Sequence, residues 1–232
     1  MRAIVSSLIL LALGATGVAA QDFEAGREAF HRSDYEAALR EWRPLAEAGD
    51  PRAQHNLGAM YSRGMGVEAD PVEAVRWYRL AAEQGFASSQ FNLALAYGRG
   101  EGVEADDVQG VRWLRAAAEQ GQELAQTNLG LAYHQGRGVA QDYAQAAYWY
   151  RAAAVQGRAE AQFNLGLAYA HGRGVEQDEE YALVWYLLAA DNGHRAAAGN
   201  GTALAGRLGQ EAYEAARARA DQCVEAGLET CG

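Results

Sequence analysis

A register of 36 residues runs without insertion through most of the chain, and no other feature restricts the fold as tightly. Asn56, Asn92, Asn128, Asn164 and Asn200 stand in it, as do Leu57, Leu93, Leu129 and Leu165. Tyr61, Tyr97, Tyr133 and Tyr169 follow it, and so do Trp77, Trp113, Trp149 and Trp185. Gly-x-Gly-Val tetrads start at Gly64, Gly100, Gly136 and Gly172, acids recur at Asp70, Asp106, Asp142 and Asp178, and glycines at Gly49, Gly85, Gly121, Gly157 and Gly193. A period of this length marks one supersecondary unit that stacks on copies of itself.

Each unit reads as two helices. Ala53, Leu57 and Tyr61 fall one turn apart on one face of the first helix, with Gly58 placed for a close neighbour. Gly64-Met65-Gly66 closes that helix, because glycine tolerates the positive φ of a helix C-terminus. Asp70 followed by Pro71 is an N-cap and a first-turn proline, so the second helix begins there. Ala74, Val75, Trp77, Tyr78, Ala81 and Ala82 keep the spacing of a buried stripe, while Glu73, Arg76, Arg79 and Glu83 fall outside it. Gly85 stops the helix. A pair this short cannot bury its stripe alone, so successive pairs must lean on one another.

The run Ala-Gln-x-Asn-Leu-Gly-x-x-Tyr, then Gly-x-Gly-Val, Asp, Ala, Trp-Tyr, Ala-Ala and Gly resembles the Sel1-like repeat, a relative of the tetratricopeptide repeat with a longer interhelix loop. The motif recurs four times over residues 53–194. The resemblance implies an all-α, right-handed α/α superhelix, a solenoid of helix-turn-helix units closed by a capping helix. The four units are expected at 52–87, 88–123, 124–159 and 160–195. Residues 21–51 are expected to form a degenerate leading unit, since Trp42 takes the register of Tyr78 and Gly49 that of Gly85. In 196–232 Asn200 keeps the register but the glycine tetrad and tryptophan do not return, and Gln210 to Gln222 reads as a polar-faced terminal helix.

Arg2, the apolar run Ile4 to Leu13 and the small residues Gly17-Val18-Ala19-Ala20 have the three parts of a secretory signal peptide over residues 1–20, with cleavage after Ala20. The run falls short of the roughly 20 residues that span a bilayer, and no later stretch is as apolar, so no membrane span is expected. No cysteine follows at the cleavage site, which points to a free periplasmic or secreted protein. In an exported chain the sole pair, Cys223 and Cys231, predicts a disulfide that staples the cap. The formal charge of -10 disfavours nucleic acid as a partner. All 20 basic residues are arginines, which excludes the P-loop, the Schiff-base lysine and the Ser-x-x-Lys nucleophile.

The residues that suggest chemistry read as structure. The Gly-x-Gly tetrads lack a third glycine, a preceding strand and a lysine, so they form turns rather than phosphate loops. Tryptophans and tyrosines at helical spacing read as core. His31, His55, His134, His171 and His194 form no helical i, i+4 pair and are expected in solvent; His134 and His171 occupy neighbouring turns where an adventitious metal is the only site to consider. Ser33, Ser62, Ser88 and Ser89 stand outside any nucleophile elbow. Neither a catalytic residue, a resident metal nor a cofactor is expected.

By analogy with tetratricopeptide repeats, Asn56 and its equivalents line a concave groove where a carboxamide pairs with a peptide backbone. The competing reading is that each bonds a main-chain group of its own or the next unit. Specificity is expected from positions that vary between units: His55, Phe91, Thr127 and Phe163; Ala59, Leu95, Leu131 and Leu167; Arg63, Arg99, Gln135 and His171. The phenylalanines and leucines suit apolar anchors, and the arginines acidic groups. With stacked helices ~8–10 Å apart and ~3.3 Å per extended residue, one unit spans about three ligand residues.

The function expected is a monomeric, non-catalytic scaffold or adaptor that binds another protein or peptide. Two alternatives come with the resemblance and the compartment. Cysteine-rich secreted members are associated with β-lactam binding or hydrolysis, but they carry a cysteine pair in each unit, which these units lack. A glycan- or peptidoglycan-binding role is suggested by the aromatic residues.

Overall fold

The structure, a computed structural model, describes residues 22–231, so the expected signal peptide lies outside the described residues. Among these there are twelve α-helices and no strand. α1 (Phe23–His31) and α2 (Tyr35–Glu47) form the leading pair. α3 (Pro51–Arg63) with α4 (Pro71–Glu83), α5 (Ala87–Arg99) with α6 (Asp107–Glu119), α7 (Glu123–Gln135) with α8 (Tyr143–Ala154), and α9 (Ala159–His171) with α10 (Glu179–Asp191) are the four units. α11 (Arg195–Leu208), α12 (Gln210–Ala226) and the 3-10 turn Leu228–Thr230 close the array. Each helix packs on its neighbours in sequence, and α12 folds back onto α10.

Local chemistry sets the helix ends. Asp70, Asp106 and Asp142 each accept from the amides two and three residues on, which satisfies donors that the first turn leaves open. Asp50 does the same ahead of Pro51, repeating the start signal of Asp70-Pro71, and α3 opens one residue before 52. The first helix of every unit ends on a left-handed glycine, from Gly64 to Gly172. The second glycine of the tetrad has a further reason. Gly102 (φ 70°) lies against the carbonyl of Pro71, in the first turn of the preceding unit's second helix, where a Cβ has no room. Gly138 meets Asp107 and Gly174 meets Tyr143 in the same way.

Leu57, Leu93, Leu129 and Leu165 are at most 1 % exposed. Trp77 and Trp185 are buried and Trp113 and Trp149 half-buried, as a core stripe requires. The Tyr78, Tyr150 and Tyr186 rings lie directly on Gly58, Gly130 and Gly166, where an added Cβ comes within 2.6–2.7 Å of ring carbons. In the second unit both members change together: Ala94 stands for the glycine and Leu114 for the tyrosine. A smaller side chain on one helix makes room for a methyl on the other, which keeps the core closed.

Two polar ladders join the units. Gln54, Gln90, Gln126 and Gln162 are buried, and each donates Nε2 to the carbonyl eight residues back, Ala46, Ala82, Ala118 or Ala154, on the preceding unit's second helix at 3.0–3.1 Å. Their Oε1 atoms accept from Gln84, Gln120, Gln156 and Asn192 at 2.7–3.0 Å. Each buried amide is thereby satisfied on both sides, so its burial carries no unpaired polar group. On another face Arg43, Arg79, Arg115 and Arg151 donate to the hydroxyls of Tyr61, Tyr97, Tyr133 and Tyr169, each on the following first helix, at 2.7–3.1 Å.

The cap differs from the units it covers. Tyr181, Val184 and Leu188 on α10 are buried because α12 brings Ala216, Ala220 and Cys223 over them. Cys223 and Cys231 are bridged, with Cα atoms 5.3 Å apart, and the Tyr181 hydroxyl donates to the Cys231 carbonyl. α12 runs four residues past Gln222, so Cys223 sits inside the helix.

Candidate functional site

The first helices present residues i, i+3 and i+7 on one face: Asn92, Leu95 and Arg99 on α5, Asn128, Leu131 and Gln135 on α7, Asn164, Leu167 and His171 on α9. Where such a face meets the second helix of the preceding unit, the surface dips. The first depression, about 590 Å³ between α3, α4 and α5, includes Ser62, Arg63, Val75, Tyr78, Asn92, Leu95 and Arg99. The second, about 240 Å³, repeats it one unit on with Leu95, Arg99, Val111, Leu114, Asn128, Leu131, Gln135 and Arg137. The third, about 150 Å³, holds Leu131, His134, Tyr143, Tyr150, Asn164, Leu167, His171 and Arg173. Leu95 and Arg99 belong to the first two and Leu131 to the last two, so the depressions form one row.

The asparagines take different partners for a local reason. The amides of Asn92 and Asn200 lie near the hydroxyls of Tyr78 and Tyr186, fourteen residues earlier on the preceding second helix, and partly offset the rise that burial gives those phenols. At Asn128 that place belongs to Leu114, which offers no hydroxyl, and the amide turns back to donate to the Leu124 carbonyl of its own helix at 2.8 Å. Main-chain pairing is therefore found at Asn128, whereas Asn92 and Asn200 face a phenol of the preceding unit. Asn164 lines the third depression; Asn56 and Ala59 precede the first along the array.

The positions at 55, 91, 127 and 163 line none of the three depressions; 55 and 163 turn toward the next unit. His55 places Nδ1 2.9 Å from Ser89 Oγ and packs its ring between Tyr78 and Phe86. Burial, and then the charge of Arg63, push its pKa down to about 4, so it is a neutral histidine at a joint and not a solvated one. Phe163 stacks on His194 with centroids 4.3 Å apart, and His194 Nδ1 accepts the Ala197 amide at the start of α11. Thr127 is buried with its hydroxyl on the Glu123 carbonyl, and Phe91 packs against the core. His31 and His171 are exposed, as expected of all five histidines.

His134 and His171 do come together in the third depression, but with Arg173 beside them. The Arg173 guanidinium lies 5.8 Å over the Tyr143 ring, and His134 meets the same ring edge-on at 5.3 Å. Burial, with Arg173 second, lowers the His134 pKa. A permanent cation here favours an anion over a metal ion. Among the described residues no group of three or more His, Cys, Asp or Glu is placed to hold a metal.

Arg137 and Arg173 were not among the residues expected in the groove. They occupy the middle of the Gly-x-Gly tetrad, a register filled in turn by Met65, Glu101, Arg137 and Arg173. Variation from unit to unit is the same signal that picked out Arg99, Gln135 and His171, and it extends to this turn. Arg137 pairs with Asp107 and also donates to the Gly98 carbonyl, both at 2.7 Å, which bridges two units across the second depression.

The Sel1 repeat family matches residues 51–86, 87–122, 124–157 and 159–194. The chain belongs to the Sel1 repeat family. It is 37% identical to a Sel1 repeat protein of Oxalobacter formigenes whose crystal structure it matches with a TM-score of 0.71, covering 74% of this chain and 71% of that one. It is 36% identical to c5321, a protective antigen of uropathogenic Escherichia coli with an SLR fold, at a TM-score of 0.72; the match covers 76% of this chain and 40% of that one. The comparison with curated proteins returned no match. Sel1 repeat proteins generally mediate protein–protein interaction. No described helix is long and apolar enough to cross a membrane.

Proposed function

We propose that this Sel1 repeat protein is an exported, non-catalytic adaptor whose row of depressions receives an extended segment of a partner protein. One observation carries the reading. The three linked depressions recur at the repeat interval with a constant apolar floor, Leu95, Leu131 and Leu167, and walls that change from unit to unit. A constant floor suits any extended chain, and changing walls select among them. The bridged Cys223–Cys231 pair fits an oxidising compartment.

The test is retention of a partner from envelope extract on the purified chain, compared between two double variants. Leu95→Asp with Leu131→Asp places carboxylates on the floor and should abolish retention. Val72→Asp with Val108→Asp, both exposed and outside the row, should leave it unchanged. Equal retention by both variants refutes the reading. Phe91 and Phe163 are poorer targets, because they pack against the core and their loss disturbs the fold as well.

A further inference from the structure

The row and the chain as a whole carry opposite charge. The sequence holds 30 acidic and 20 basic side chains. The three depressions instead are lined by Arg63, Arg99, Arg137 and Arg173 against only Glu101 and Asp107. Asp107 is already engaged by Arg137 at 2.7 Å. Glu101 reaches Arg99 at 3.7 Å, and both side chains are 60% exposed, so the pair opens at little cost. Arg63 and Arg173, at the two ends of the row, stand in no ion pair among the described residues.

We infer that the segment received by the row is acidic: an extended stretch whose aliphatic side chains seat on Leu95, Leu131 and Leu167 while its carboxylates meet Arg63, Arg99 and Arg173. This deepens the adaptor reading and rests on it. A guanidinium fork matches a carboxylate in two parallel hydrogen bonds. On a chain of net charge -10 a row lined by four arginines and two carboxylates is a site where an acidic segment gains attraction, so the charge pattern favours this partner chemistry here. The leucine floor favours a polypeptide over a polyphosphate backbone, which has no aliphatic groups to bury there.

The experiment is selection of a random peptide display library of roughly 12-residue members, the length that four units span, on the full folded chain with its disulfide intact. The expected pool is net negative with aliphatic residues interspersed. A synthetic peptide from it should bind about tenfold more weakly to Arg63→Glu with Arg173→Glu, and more weakly again when salt rises from about 50 to about 500 mM. Arg63→Gln with Arg173→Gln, of unchanged helix content, should give a smaller loss in the same direction. A neutral or basic pool lost on Leu131→Asp overturns the acidic preference and leaves the row as a docking site. Failure to enrich, or a pool indifferent to Leu131→Asp, overturns both. Enrichment of nucleic acid over peptide in a parallel selection also overturns the inference.

Discussion

Protonation of His55 sets an imidazolium against Arg63 inside the joint between the first and second units. Its pKa falls from 6.5 unfolded to about 4 folded, so the folded chain binds the proton less readily than the unfolded one. The stability of this joint is then complete above pH 6.5 and declines as pH drops toward 4. Allowing for partial exposure of the ring, the loss is about 2 kcal/mol. Urea titrations at both pH values check it, and His55→Phe with Ser89→Ala, the residue types that stand at 91 and 125, should remove most of the difference. Gln126 makes a second prediction. It donates to Ala118 and accepts from Gln156, so Gln126→Ala removes two bonds between units; the Ala118 carbonyl keeps the Gly121 amide and Gln156 keeps the Gly121 and Ala152 carbonyls, and the cost should be about 1–2 kcal/mol. Arg217→Ala, which loses only exposed ion pairs, should cost under about 1 kcal/mol in the same titration. The glutamines were visible in the sequence as a 36-residue series, but their partners were not. What an amide meets depends on the facing helix, as Asn92 near the Tyr78 hydroxyl and Asn128 beside Leu114 show.

The elements themselves were legible almost residue by residue, because their ends are fixed by chemistry within four positions of the chain. Asp70 caps α4 and Gly64 closes α3 through bonds that involve no distant residue. What escaped is the reason for the tetrad's second glycine, which lies on another unit's helix. Gly102→Ala forces a methyl onto the Pro71 carbonyl at φ 70° and should destabilise by about 3 kcal/mol. Gly121→Ala has open space around it at φ 86° and bears only the left-handed strain, about 1 kcal/mol. Equilibrium unfolding of the two variants separates collision from conformation. The candidate site divides along the same line. The face carrying Leu95, Leu131 and Leu167 follows from helical spacing, whereas the inward turn of His55 and Phe163 depends on Ser89 and His194 of the next unit.

At the level of the molecule, each unit touches its neighbours and little else, so damage should stay local. Replacing both Cys223 and Cys231 by serine releases a short loop and should lower stability by about 2.5 kcal/mol. Amide exchange should quicken in α10 and α12, which share the buried Tyr181 and Cys231, and remain unchanged in α3 and α5. The ladders also record where the array stops: Asn192 replaces the glutamine, and Leu187 stands where Arg151 would recur. Between those ends the links are interchangeable. Removing residues 87–122 would set Gln126 opposite Ala82, Tyr133 opposite Arg79 and Gly138 beneath Pro71, each a swap of like for like. Such a shortened chain should fold with helix content reduced in proportion, and the stretch of partner it protects from proteolysis should shrink by about three residues. The length of the array is then adjustable by whole units with both ladders kept, and the His55 joint changes, where Ala125 would replace Ser89.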